Sequence, residues 1–223
     1  MNPSFLRFSS ITKKIWMALL GLFLMLFLVV HLSINLCLLR SDGGKWFTDA
    51  AHFMGTNYVI KVFEVILFAG FIFHILIGII LQIRNWMSRP VRYLVNNKSY
   101  TPFLSKYMIY TGAIIFVFLI IHFMNFYFIK FGWVTNPNVN AKGEPEFYVI
   151  AQELFTNPYY SIFYIILLIV LAFHLNHAFQ AAFQSLGLDH KTYSPFIRTF
   201  GTIYSIIIPL GFIIIPIYFL LIR

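Results

Sequence analysis

Charge is what this chain has least of. Only 10% of its 223 residues are Asp, Glu, Lys or Arg, and 7 of those are acidic. With 60% hydrophobic residues, that excludes a water-soluble globular domain. Cysteine is nearly absent too, with Cys37 alone. A single thiol excludes an intrachain disulfide, a protein-held iron–sulfur cluster and the C-x-x-C-H attachment of covalent haem. Cys37 reads as a small apolar filler. No internal repeat or low-complexity tract stands out.

The uncharged runs, in contrast, are long: 15–39, 65–83, 107–129, 154–188 and 199–222. About 20 apolar residues rising 1.5 Å each cross a bilayer. The fourth run exceeds one span, but Asn157-Pro158 is a helix start and Gly187 a helix stop. The chain is therefore expected to be all-α, an integral membrane bundle of five transmembrane helices at about 15–39, 58–83, 106–130, 159–186 and 198–222. The first run is too long for a signal-peptide core and no A-x-A site follows it, so it is expected to remain as a helix.

Lys and Arg set the orientation. With the N-terminus inside, Arg7, Lys13, Lys14, Arg84, Arg89, Arg92, Lys98, Lys106, Lys191 and Arg198 face inward, against Arg40, Lys45, Lys61, Lys130, Lys142 and Arg223 outside. The positive-inside rule favours this N-in, C-out arrangement. Of the acidic residues, Asp189 alone lies on the inner side. The formal charge of +9 then belongs to a membrane face, and no nucleic-acid partner is needed to explain it.

Four histidines, His31, His74, His122 and His174, each lie in a different apolar run. An ionisable ring in hydrocarbon is costly and marks a functional site by default. Counting from the inner helix ends places His31 and His122 roughly 24–26 Å deep, and His74 and His174 roughly 15 Å deep. Helices one and three thus offer an outer pair, and helices two and four an inner pair. One histidine from each of two facing helices at a common depth is what a bis-histidine b-type haem requires, and two levels make two haems. With both axial positions filled, such iron transfers electrons and does not bind oxygen.

Small residues accompany the rings: Gly70 and Gly78 at four residues either side of His74, and Ala178 four after His174. Gly21 and Gly112 stand ten residues before His31 and His122, where they would clear space for the inner haem. His177, one turn beyond His174, is the rival ligand; as a non-ligand it is expected to bond a haem propionate or a neighbour such as Asn176. Arg84, Arg89 and Arg92 below the inner haem, and Arg40 and Lys45 above the outer one, suit propionates, although positive-inside flanking also explains them. Ser33, Asn35, Gln82 and Asn125 are polar groups placed to orient ligands or propionates, or to bond between helices. His52 and His190 read as solvated loop residues; His52, with Trp46 and Asp49, is also placed to line an outer quinone site. The fifth helix, with Pro209 and Pro216 but no histidine, reads as a packing helix with a kink.

Met17-Ala-Leu-Leu-Gly21 and His31-Leu-Ser-Ile-Asn35 resemble helix one of the five-helix, di-haem cytochrome b subunit of succinate dehydrogenase and fumarate reductase. Phe173-His174-Leu-Asn-His177-Ala178, ending in Ser185-Leu-Gly187, is similar to that family's fourth helix. The resemblance spans the chain, including the one-histidine-per-helix order. It implies a membrane anchor of respiratory complex II in the cell's inner membrane, with a flavoprotein and an iron–sulfur subunit docked on the basic inner face. Electrons would then pass between the iron–sulfur subunit, the inner haem (His74, His174), the outer haem (His31, His122) and a quinone, commonly menaquinone in this type. Some fumarate-reducing members carry a glutamate where this chain has Ala172, a departure that leans toward succinate oxidation.

Three alternatives remain open at this point. In the di-haem quinol-oxidising subunit of nitrate reductase the ligands gather on two helices, whereas here they spread over four. A haem-free proton or ion transporter would want acidic partners within the spans, but Glu64 and Glu153 sit at outer helix ends. A purely structural anchor has no use for four matched histidines.

Overall fold

The computed structural model describes residues 10–87 and 107–221. Among these there is no strand, only an isolated bridge between Val139 and Pro145. Five helices are long and apolar enough to cross a membrane: Ile11–Leu39, Tyr58–Met87, Met108–Lys130, Pro158–Ser185 and Ser194–Leu221. They are called α1, α3, α4, α6 and α7. The chain is a multi-pass membrane protein.

Two shorter helices lie between spans, α2 at Lys45–Thr56 and α5 at Phe147–Thr156. Both sit at the same end of the bundle, since each is followed at once by the start of a span. α2 buries Phe47, and α5 buries Ile150, Ala151 and Phe155. Phe47, Ala151 and Phe155 join Leu38, Tyr164, Ile215 and Phe219 in one apolar cluster that caps this end. The connections 40–57 and 131–157 are therefore helical lids. His52 sits on α2, exposed beside Trp46 and Asp49, and not in a loop.

The span boundaries follow from local chemistry. The side chain of Asn157 caps α6 by accepting from the Tyr159 N–H at 3.0 Å, with Pro158 in the first turn, where a missing N–H costs nothing. At the far end Gly187 takes φ +77°, and Leu188 N–H donates to Phe183 O at 3.0 Å, a left-handed glycine stop. α4 is interrupted just past His122 by a π-helical turn, Phe123–Tyr127. Such a turn rotates every following side chain relative to a regular helix.

Packing defines a ring. α1 packs against α3 on one side and α6 on the other; α6 packs also against α4, and α3 meets α4 lightly. So α1 and α4 occupy opposite corners, as do α3 and α6. α7 lies outside this ring against α6 and α1. It comes in close because Gly201 and Gly211 are small: a Cβ on the first would collide with Phe179, and one on the second with Leu32. The outward faces are apolar, as a lipid-facing bundle requires, with Ile72, Phe73, Val117 and Ile120 all exposed.

Candidate functional site

The ring topology decides which histidines meet. Counted from the α2–α5 end, His31 is eight residues from Leu39 and His122 eight from Lys130, whereas His74 and His174 each lie sixteen beyond the first residue of their span. At 1.5 Å per residue these are levels roughly 12 and 24 Å down the bundle. Each level is populated from two opposite corners of the ring: α1 and α4 at the first, α3 and α6 at the second.

At the first level the His31 and His122 rings meet edge to face, with centroids 5.8 Å apart and planes at 88°. Their surroundings are aromatic. Phe27 stacks on His31 at 5.2 Å and Phe212 from α7 approaches it at 5.5 Å. Phe126 at 5.2 Å, Phe118 at 5.8 Å and Tyr164 at 6.4 Å surround His122. Asn35 Nδ2 donates to the His31 carbonyl at 2.7 Å and reaches its Nδ1 at 3.4 Å. His122 Nδ1 is buried without a hydrogen-bond partner among the described residues.

At the second level the rings come from α3 and α6. His74 and His174 are within electrostatic reach of each other. Behind each ring stands a glycine of the adjacent helix: a Cβ on Gly21 would lie 3.6 Å from His74 Cε1, and one on Gly112 would lie 3.6 Å from His174 Cε1. Thr111 Oγ1 contacts His174 Nδ1 at 3.2 Å while donating to Met108 O at 2.9 Å. With its only proton committed there, the hydroxyl accepts from Nδ1–H, which leaves the lone pair of His174 on Nε2. His74 Nδ1, like that of His122, is buried and unpartnered among the described residues. Among those residues no group of three or more His, Cys, Asp or Glu converges, and each level holds one pair of histidines.

The other polar residues expected near these pairs distribute unevenly around them. His177 is half-buried one turn beyond His174 and within its electrostatic reach. Asn176 does not serve it: that side chain accepts from Gln180 at 2.9 Å and from Thr202 of α7 at 3.4 Å. Ser33 faces outward and donates to Val29 O of its own helix at 2.8 Å. Gln82 and Arg84 are half-buried on α3, beyond His74 toward the open end. Arg84 lies near Lys13 of α1, which is itself 8% exposed. Arg89 and Arg92 fall outside the described residues. Arg40 is engaged elsewhere, with Asp42 at 3.6 Å and over the Trp46 ring at 4.3 Å.

Three polar contacts tie the helices together. Thr111 makes one; its signal in the sequence is its place beside Gly112. The second joins α3 to α4, where Glu64 accepts from Tyr127 OH at 2.6 Å and pairs with Lys130 at 3.2 Å. The third is that of Asn125, whose Nδ2 donates to Tyr164 OH at 2.9 Å. Asn125 and Tyr127 both belong to the π-helical turn, which aims them at two different neighbouring helices. A search of protein-family models, of curated proteins and of solved structures finds no match to this chain.

Proposed function

We propose that the chain is the di-haem cytochrome b anchor of a succinate:quinone oxidoreductase, with its N-terminus inside and its C-terminus outside. The observation that carries this reading is the set of two histidine pairs, each drawn from opposite corners of one helix ring at a common level. Two imidazoles bound to opposite sides of one metal have ring centres roughly 6 Å apart, taking about 2 Å per metal–nitrogen bond and about 1 Å from nitrogen to ring centre. The His31–His122 separation of 5.8 Å suits that arrangement.

In this reading His31 and His122 hold one b-type haem and His74 and His174 the other. Haem bound there supplies one-electron transfer along the membrane normal. The chain's own contribution is positional and electrostatic. Thr111 holds the His174 ring in the tautomer that presents Nε2, and Asn35 restrains His31. Phe27, Phe118, Phe126 and Phe212 keep water from the first level. Arg84, toward the open end beyond His74, would neutralise propionates from the second, as Arg89 is expected to from the sequence, and the basic inner face would also receive a flavoprotein and an iron–sulfur subunit. Quinone, of the menaquinone type in the family resembled, would exchange near the His31–His122 level, and lipid covers the outward faces. Dicarboxylate chemistry stays on the partner subunits.

The deciding measurement is a pyridine haemochrome assay on the full chain purified from cells supplied with haem. Two b-type haems per polypeptide are expected, with His31→Ala and His74→Ala each abolishing a different low-spin electron paramagnetic resonance signal. No haem at all would instead favour a haem-free proton or ion transporter.

A further inference from the structure

We infer that α1–α3 and α4–α6 are two copies of one structural unit related by a two-fold axis along the bundle, and that its equivalent glycines, Gly21 and Gly112, wall the His74–His174 site. The inference rests on the di-haem reading above.

The first helix of each copy carries the same ladder. Met17, Gly21, Phe27 and His31 recur 91 positions later as Met108, Gly112, Phe118 and His122. The contacts recur with them: Phe27 packs on His31 at 5.2 Å and Phe118 on His122 at 5.8 Å. After that helix each copy has a short helix at the same end of the bundle, and each short helix ends in Thr-Asn. Thr56 donates to His52 O at 2.8 Å, and Thr156 to Gln152 O at 2.7 Å. Asn57 then caps α3 by accepting from Val59 N–H at 2.9 Å, as Asn157 caps α6 by accepting from Tyr159 N–H at 3.0 Å. From each capping Asn the chain runs seventeen residues to the histidine of Phe73-His74 and of Phe173-His174. Two caps of one kind, feeding helices of equal register, set both histidines at one depth.

Three consequences follow. The ligands of each site occupy equivalent positions in the two copies, 31 with 122 and 74 with 174, so both sites straddle the two-fold axis. The same register makes His174 the counterpart of His74 and gives His177 the counterpart Ile77, which selects His174 as ligand. It also explains why Gly21 meets His74 and Gly112 meets His174 at the same 3.6 Å. A macrocycle held through that imidazole would need room beside the ring, and glycine leaves more of it than any other residue on both flanking helices. α7 has no counterpart and stands outside the symmetry.

The test uses the full chain, purified after expression with haem supplied. Gly21→Leu and Gly112→Leu are each expected to hold one haem per polypeptide. The surviving paramagnetic resonance signal should be the one that survives in His74→Ala. His177→Ala should keep two haems, and His174→Ala one. Two haems in either leucine variant, loss of the other signal, or loss of haem in His177→Ala with retention in His174→Ala would overturn the inference. Where a leucine variant fails to fold, Gly21→Ala and Gly112→Ala replace it, since their added carbon makes only ordinary contact. These are expected to keep two haems and to move the signal and midpoint potential of the same single haem; an unchanged pair of signals in both would overturn the inference. A wild-type chain without haem refutes the di-haem reading itself, and the glycine assignment falls with it.

Discussion

Replacing Thr111 by Val deletes one hydroxyl, preserves side-chain shape and leaves His174 Nδ1 bare. In the structure that hydroxyl lies 3.2 Å from Nδ1 and is anchored by Met108 O at 2.9 Å. Stranding a buried polar group costs about 1–3 kcal/mol. Only the loaded site needs the Nδ1–H tautomer, so most of that cost should fall on haem affinity, as about a 5- to 150-fold loss. The usual effect of removing a partner that orients a metal ligand, about 10- to 100-fold, lies in this range. The assay is the rate of haem transfer from the purified chain to excess apomyoglobin, followed by absorbance. One of two kinetic phases should accelerate by that factor, and Thr111→Ser should restore it. The helix-internal bond to Met108 is worth no more than about 1.5 kcal/mol, so thermal unfolding of the haem-free chain should change little. Equal acceleration of both phases, no acceleration, or a serine variant as fast as valine would refute the tautomer argument.

Gly44 sits at φ +82°, and a Cβ there would overlap the Tyr148 ring. Gly44→Ala should therefore destabilise the lid formed by α2 and α5 by more than about 1 kcal/mol. Faster limited proteolysis within 40–57, with haem content unchanged, is the expected readout, and wild-type protease resistance would refute it. Tyr148 itself is pushed above its ordinary pKa of 10, first by burial and then by Tyr218 and Asp42. An acid whose folded pKa is raised contributes stability that is intact below the unfolded value and lost as pH rises past it. Melting of the wild-type chain should consequently fall more steeply as pH rises past about 10 than melting of Tyr148→Phe, and parallel curves would count against it.

How much of this was legible in the sequence depended on the range of the interaction. Each span contains a long uncharged stretch, and α6 is bounded by local signals, Asn157-Pro158 and Gly187, that can be read residue by residue. The sorting of histidines into two levels needed only helical rise. Neither depth nor periodicity says which corner of a ring a helix occupies, so the diagonal pairing emerges only from packing. The lids carry no such signal because α2 and α5 are short and half polar; Phe47 and Phe155 become core residues only once Leu38, Tyr164 and Phe219 surround them. The contact between Thr111 and His174 joins residues 63 apart, and nothing local announces it. The repeat is hidden in the sequence because its two segments are offset differently, by 91 and by 100 positions. The extra nine residues lie in the longer second lid.

α7 braces α1 and α6 and leaves α3 and α4 without an equivalent neighbour. The two histidines on the braced corners, His31 and His174, are the ones whose Nδ1 meets a protein group, Asn35 and Thr111. The two on the unbraced corners, His74 and His122, have buried Nδ1 atoms with no partner among the described residues. Each level thus combines one ring restrained by a side chain with one restrained by packing alone. In the di-haem reading proposed above, the restrained ring would fix where iron is held and the other ring would turn to meet it. The distinction is written in two residues that break the repeat: Asn35 of α1 has Phe126 as its counterpart, and Thr111 of α4 has Leu20.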